Sequence, residues 1–303
     1  MDLIISSKKE LEFCWHHLYA MTEKTINQQP PKKVDKMAMA LLKAHLANIF
    51  PTYEEGLENI EKIKYWFNQS SLSDNELAWL KQNNSRLTHW LWNLLVCHKN
   101  LSNLINHLNP IEIEINSPSN QDFFDIFSFN RNAYSTKEKH ELLIKAFDLS
   151  IMLREDKIKL LNQLRERWEQ MKSEEEFTWI DGNNTAVSIW AVDYFKDYCN
   201  KNFLPINAVN YISFEHPLNE FILLFDSWSI DSANKKLFII AMKKALSQKK
   251  YRDKQAGKKQ CSFNLSENTI LQLSELSTRQ GRPKNHILET LIYAEYFKEA
   301  NKI

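Results

Sequence analysis

A stretch of about one hundred residues is written twice in this chain, and that duplication restricts its fold more than any single motif does. Glu76-Leu77-Ala78-Trp79-Leu80-Lys81-Gln82-Asn83-Asn84 returns as Glu176-Phe177-Thr178-Trp179-Ile180-Asp181-Gly182-Asn183-Asn184, and Trp90 returns as Trp190. Ser73 precedes Glu76, and Ser173 precedes Glu176, at the spacing of a capping box. There the hydroxyl and the carboxylate each satisfy a backbone amide left open at a helix start. Cys97-His98-Lys99-Asn100-Leu101 has its counterpart in Cys199-Asn200-Lys201-Asn202-Phe203, and Leu41-Leu42-Lys43-Ala44 in Leu143-Ile144-Lys145-Ala146. A third start is marked by Phe225-Asp226-Ser227-Trp228-Ser229-Ile230, which parallels Phe124-Asp125-Ile126-Phe127-Ser128-Phe129. It leads into Lys235 to Leu246, where Leu237, Ile240, Ala241 and Lys244 fall at helical spacing, and on into the basic block.

Repeats that bury their apolar faces on one another stack into an array. Asn83-Asn84 ends one helix and caps the next, which makes each copy a helical hairpin with its two tryptophans, Trp79 and Trp90 in the first, packed together. Four glycines and eight prolines in 303 residues leave few interruptions, so the fold class is mainly α. Glu10 to Met21 reads as an amphipathic helix with Leu11, Cys14, Trp15, Leu18 and Tyr19 inward. Ile111 to Ile115 and Val209 to Ser213 are strand-like and form either small ribbons or extended connections.

The duplication also bears on chemistry, because catalytic groups seldom need copying. Asp181 is matched by Lys81 and His89 by Ile189, so what repeats is structural. There is no Gly-rich phosphate loop, no histidine pair at metal spacing and no nucleophile motif, and Glu174-Glu175-Glu176 reads as acids favoured in a first helical turn. Cys14 with His16 and His17 lacks companions at zinc-like spacing. The expectation is a protein that is not an enzyme and has no metal and no cofactor. Four scattered cysteines and the lack of a signal peptide or a long apolar run point to a reducing cytoplasm and away from a membrane.

The C-terminal stretch has another character. Lys258-Lys259-Gln260-Cys261-Ser262-Phe263-Asn264-Leu265-Ser266 alternates as a strand does, with Cys261, Phe263 and Leu265 on one face and Gln260, Ser262 and Asn264 on the other. A helix capped by Ser266 follows, carrying Ile270, Leu273 and Leu276 inward and stopping at Gly281. The next, after Arg282-Pro283-Lys284-Asn285, carries Ile287, Leu288, Leu291 and Ile292. Such a strand, helix and helix cannot enclose a core, and a lone strand leaves its backbone groups unpaired. A second copy supplies the partner: two strands pair antiparallel about a two-fold axis, with Cys261, Phe263, Leu265, Ile270, Leu273, Leu276, Leu288 and Leu291 as the dimer core. Gln260, Ser262 and Asn264 then face outward on a ribbon narrow enough for the DNA major groove, and the amides of Gln260 and Asn264 suit adenine.

Charge favours the same end. Residues 1–234 hold 24 Lys and Arg against 32 Asp and Glu, whereas residues 235–259 hold ten against Asp253 alone. A charge run by itself describes a solvated face. Placed directly before the strand, Lys249, Lys250, Arg252, Lys254, Lys258 and Lys259 suit the phosphates that flank a groove.

Lys258 to Ser266, with Leu273-Ser274-Glu275-Leu276 and Arg279-Gln280-Gly281-Arg282, resembles the ribbon-helix-helix DNA-binding family. The resemblance implies an obligate homodimer, base contacts from Gln260, Ser262 and Asn264, and phosphate contacts at the start of the second helix at Pro283, Lys284 and Asn285, with Arg282 beside them as a further phosphate contact. The family usually has Ser or Thr near the position of Asn285. Trp228 and Asp231, the helix with Met242-Lys243-Lys244, then Lys249-Lys250-Tyr251-Arg252 and the ribbon are similar in layout to the macrodomain Ter protein family, whose bacterial members organise a chromosome's terminus.

The expected organisation is an N-terminal helix at 1–32, helical repeats at 33–134 and 135–224, a truncated third repeat with the basic helix at 225–257, and the ribbon-helix-helix at 258–303. The expected function is sequence-specific binding of double-stranded DNA by a cytoplasmic, nucleoid-associated dimer that organises chromosomal or plasmid DNA, with the repeats engaging another protein. A repressor, antitoxin or partition factor of the same fold is one alternative. A helical adaptor that binds no DNA is another.

Overall fold

Short polar side chains set where the helices begin. Ser7, Asp35, Thr52, Asn84, Ser135, Asn184 and Ser266 each sit in extended backbone and accept a hydrogen bond from the amide three residues on. The computed structural model describes residues 3–21, 30–81, 84–108, 122–172, 177–204, 212–254, 257 and 261–300. In order they form α1 (Lys8–Ala20), α2 (Lys36–Ile49), α3 (Tyr53–Ser70), α4 (Ser85–His98), α5 (Leu101–Leu108), α6 (Phe123–Ile126), α7 (Thr136–Leu149), α8 (Arg154–Met171), α9 (Thr185–Lys201), α10 (Pro217–Asp226), α11 (Ser232–Lys254), α12 (Glu267–Gln280) and α13 (Lys284–Ala300). Every regular element among the described residues is a helix, and none of them is long and apolar enough to cross a membrane.

The backbone divides into two compact units, Met1–Ile239 and Ile240–Ile303. In the first, α1 packs on α3 and α7, α4 on α7, and α10 on both α9 and α4. Leu11, Phe13, Cys14, Trp15 and Leu18 of α1 are buried, as its 3.6-residue period requires, and Tyr19 packs against the same core. Gly56 lets α3 close on α2, since a Cβ there would stand 3.2 Å from Leu46 Cβ. At the far end of the unit Phe195, Phe225 and Trp228 meet Phe238 with ring centroids 5.5 to 6.0 Å apart. The guanidinium of Arg86, at the start of α4, donates to both carboxylate oxygens of the buried Asp226 at the end of α10.

Several sequence expectations are corrected. Asn84 and Asn184 do cap α4 and α9, but Asp74 to Lys81 forms successive turns instead of a helix, and Trp90 packs its ring on Trp168, not on Trp79. The capping box closes on this turn: Ser73 N donates to Glu76 Oε2 at 2.8 Å, and Glu76 N to Ser73 Oγ at 3.4 Å. Ser173 and Glu176, Ile111 to Ile115, and Val209 to Tyr211 lie outside the described residues. In α11 the helical spacing is borne out, and the structure shows which face it buries. Phe238, Ile239, Met242 and Leu246 are buried, whereas Leu237, Ile240, Ala241 and Lys244 are exposed.

The largest correction is at the C-terminus. Cys261 to Ser266 has no regular secondary structure, so the strand and the ribbon built on it do not form, and the ribbon-helix-helix resemblance is overturned. The similarity to the macrodomain Ter layout, which ends in that fold, falls with it. The physical reason is that a strand needs a neighbour to take up its backbone donors and acceptors, and among the described residues this chain offers no second strand. Cys261, Phe263 and Leu265, expected inward, are all exposed. What remains of that unit is a pair of helices, α12 packed on α13, with Leu273 and Ile287 buried and a left-handed Gly281 closing α12.

Candidate nucleic-acid interface

Basic side chains gather on the last turns of α11. Lys250, Arg252 and Lys254 are exposed, and Lys249 is half-buried with its ammonium 2.9 Å from the Asp253 carboxylate one turn on. Asp253 is the one acid on this stretch, so the charge of the helix end stays strongly positive. Tyr251, between Lys250 and Arg252, is 66 % exposed and borders a shallow surface hollow with Ser247, Gln248 and Arg252. Lys258, Lys259 and Gln260 lie outside the described residues.

Ser262 and Asn264 are exposed on the segment before α12, without the strand that would have aligned them. Arg282, Lys284 and Asn285 are exposed around the start of α13, where an Arg282 guanidinium nitrogen is 3.5 Å from His286 Nε2. Of the residues expected in a dimer core, a single chain buries only Leu273. Leu276 and Leu288 are half-buried, and Cys261, Phe263, Leu265, Ile270 and Leu291 are exposed. Phe263 is 69 % open and Leu291 53 %, and they are joined by Leu271, Ile292 and Tyr293. A single chain therefore leaves several large apolar side chains of α12, α13 and the segment before them exposed.

The interior of the first unit holds titratable groups, and four of them meet backbone carbonyls. Lys157 donates to Ser70 O at 2.8 Å and Phe147 O at 2.6 Å, His17 donates to Leu149 O at 2.7 Å, and His140 to Leu80 O at 2.8 Å. Lys139 donates to Ser213 O, with His89 Nδ1 3.4 Å away and the Phe214 ring centroid at 4.7 Å. Burial pushes Lys157 down to about 7 and Lys139 to about 8, holds His16 and His17 near about 4, and lifts the Cys14 thiol to about 12. A thiol so protonated is a poor ligand and a poor nucleophile. No group of three or more potential metal ligands occurs among the described residues.

None of these bonds was legible beforehand, because each lysine or histidine meets at least one carbonyl far away in the sequence. Comparison with known protein families, curated proteins and solved structures finds no match to this chain.

Proposed function

We propose that the C-terminal unit binds double-stranded DNA, and that it does so as a pair of chains. The observation that carries this reading is the exposed cluster of Lys250, Arg252 and Lys254 at the end of α11, in a unit whose apolar side chains one chain leaves open. Cations held on a helix end neutralise phosphates and release the counterions condensed on DNA, which gives affinity for any sequence. Lys249, Lys258 and Lys259 extend the run, and Arg282, Lys284 and Asn285 add polar and charged groups at the start of α13. In this reading the apolar residues of α12 and α13, including Leu291 and Ile292, close the pair by helix packing. The acidic body is repelled by DNA and is free to join a bound duplex to another complex, a role in organising chromosomal or plasmid DNA.

The test is a salt series on a labelled duplex. Replacing Lys250, Arg252 and Lys254 with Ala should weaken binding to every sequence and reduce the slope of log affinity against log salt by about 2 to 3, at about 0.9 per lost phosphate contact. The exposed apolar face of α12 and α13 also favours a second reading, an adaptor whose C-terminal unit only joins chains. Absent or salt-insensitive DNA retention at low ionic strength selects the adaptor.

A further inference from the structure

Two amphipathic faces of opposite charge stand uncovered on this one chain. The first is the outer face of α11, where Leu237, Ile240, Lys244 and Tyr251 return at helical intervals opposite the buried Phe238, Ile239, Met242 and Leu246. Leu237 is 62 % and Ile240 65 % exposed, in the middle of a face shouldered by lysines such as Lys236. Leu237 and Ile240 are three residues apart, so they form one exposed apolar pair on that face. The second is the outer face of α3. Leu57, Glu58, Glu61, Lys62, Tyr65 and Trp66 line an open groove of about 510 Å³ there, Glu54 continues its acidic edge one turn earlier, and Glu61 is held 3.0 Å from Lys64 of the same helix.

We infer that α11 of one copy docks along α3 of another. Leu237 and Ile240 enter the groove beside Tyr65 and Trp66, and Lys236 and Lys244 face the row Glu54, Glu58 and Glu61. Sign and spacing both match: at ~1.5 Å per residue Glu54 and Glu61 are separated by ~10.5 Å along their helix, and Lys236 and Lys244 by ~12 Å along theirs. That match identifies the occupant as a second copy, since both halves of the contact are written on the same chain. The two surfaces differ, so the contact is heterologous and adds copies to any pair made through α12 and α13. It uses neither the lysines assigned to DNA nor the C-terminal apolar face, and it stands whether or not the chain binds DNA.

The test is light scattering on the nuclease-treated full chain over a range of concentrations, with the variants E58K/E61K and K236E/K244E and the four-fold combination of the two. All four positions are on the surface, and circular dichroism melting verifies that each variant is folded. The parent mass should climb with concentration at about 50 mM ionic strength and fall back at about 500 mM, where charges are screened within a few ångströms. Each double variant should need about tenfold more protein to reach the same mass, and the combination, with its signs exchanged, should return to within about threefold of the parent. A parent whose mass ignores concentration and salt overturns the inference, and so does a combination no better than its parts.

Discussion

The ammonium of Lys157 sits where two helices end, and its chemistry has a consequence for stability. Ser70 O closes α3 and Phe147 O lies in the last turn of α7, so one buried cation serves carbonyls that have no partner in their own helices. Asp148, bridged to Lys9 at 2.6 Å, stands close by and favours the charged form, but burial outweighs it and holds Lys157 near about 7. A lysine depressed in the folded state binds its proton more tightly in the unfolded chain. Its contribution is present above the unfolded value of 10.5 and is lost as pH falls towards about 7, so stability should rise from pH 7 upward. Cys14 acts in the opposite sense above about 9, because its thiol ionises first in the unfolded chain, so the clean window ends near pH 8.5. Urea midpoints measured across that window should increase for the parent. For Lys157→Met they should increase less, the remainder coming from Lys139 and Lys235, which burial also depresses, while the variant is about 2 to 4 kcal/mol less stable overall from two carbonyls left without a donor. Equal pH slopes for the two proteins would mean that Lys157 keeps its proton throughout.

Periodicity names a helix but not always the face it buries, and α11 separates the two. Leu237, Ile240, Ala241 and Lys244 satisfy the 3.6-residue period, and so do Phe238, Ile239, Met242 and Leu246, so the pattern alone has two solutions. The buried solution is the aromatic one, because Phe238 meets Phe195, Tyr198 and Trp228 from α9 and the segment after α10. Neighbouring positions should therefore respond very differently. Phe238→Ala, which empties that ring cluster, should cost about 3 to 5 kcal/mol. Leu237→Ala, which removes a side chain already in water, should change stability by about 0.5 kcal/mol or less. Denaturant titration of the two variants decides it, and similar losses would place Leu237 in a core after all. Elsewhere the local signals were sufficient: α1 and the caps at Asn84 and Asn184 follow from residues within a few positions of each other. The segment from Cys261 failed as a strand because alternation supplies only the side chains, while strand formation needs a neighbour's backbone. The exposed lysines at the end of α11 were legible as a charge run, but the open groove on α3 was not, since nothing in the spacing of Leu57, Tyr65 and Trp66 separates a surface groove from a core.

The two units bury very different amounts of apolar side chain, and the whole molecule should unfold accordingly. The first is built around an extensive core in which Trp15, Trp90, Trp92, Phe195 and Phe221 are almost wholly hidden. The second buries Met242, Leu246, Leu273 and Ile287 and leaves Phe263, Ile292, Tyr296 and Phe297 open, so a lone copy has little to offset the entropy of ordering two helices. The nine tryptophans all fall between Trp15 and Trp228, within the first unit, so their emission reports on that unit directly. Far-ultraviolet circular dichroism reports on every helix, including α12 and α13. Urea unfolding should therefore appear as one transition by tryptophan emission and as two by circular dichroism, the additional one at lower urea. If pairing through α12 and α13 stabilises the second unit, only that early transition should move to higher urea as protein concentration is raised, because association shifts a folding equilibrium by mass action. Coincident transitions at every concentration would mean that the C-terminal helices draw their stability from the first unit, and the pairing through their apolar face would lose its physical basis.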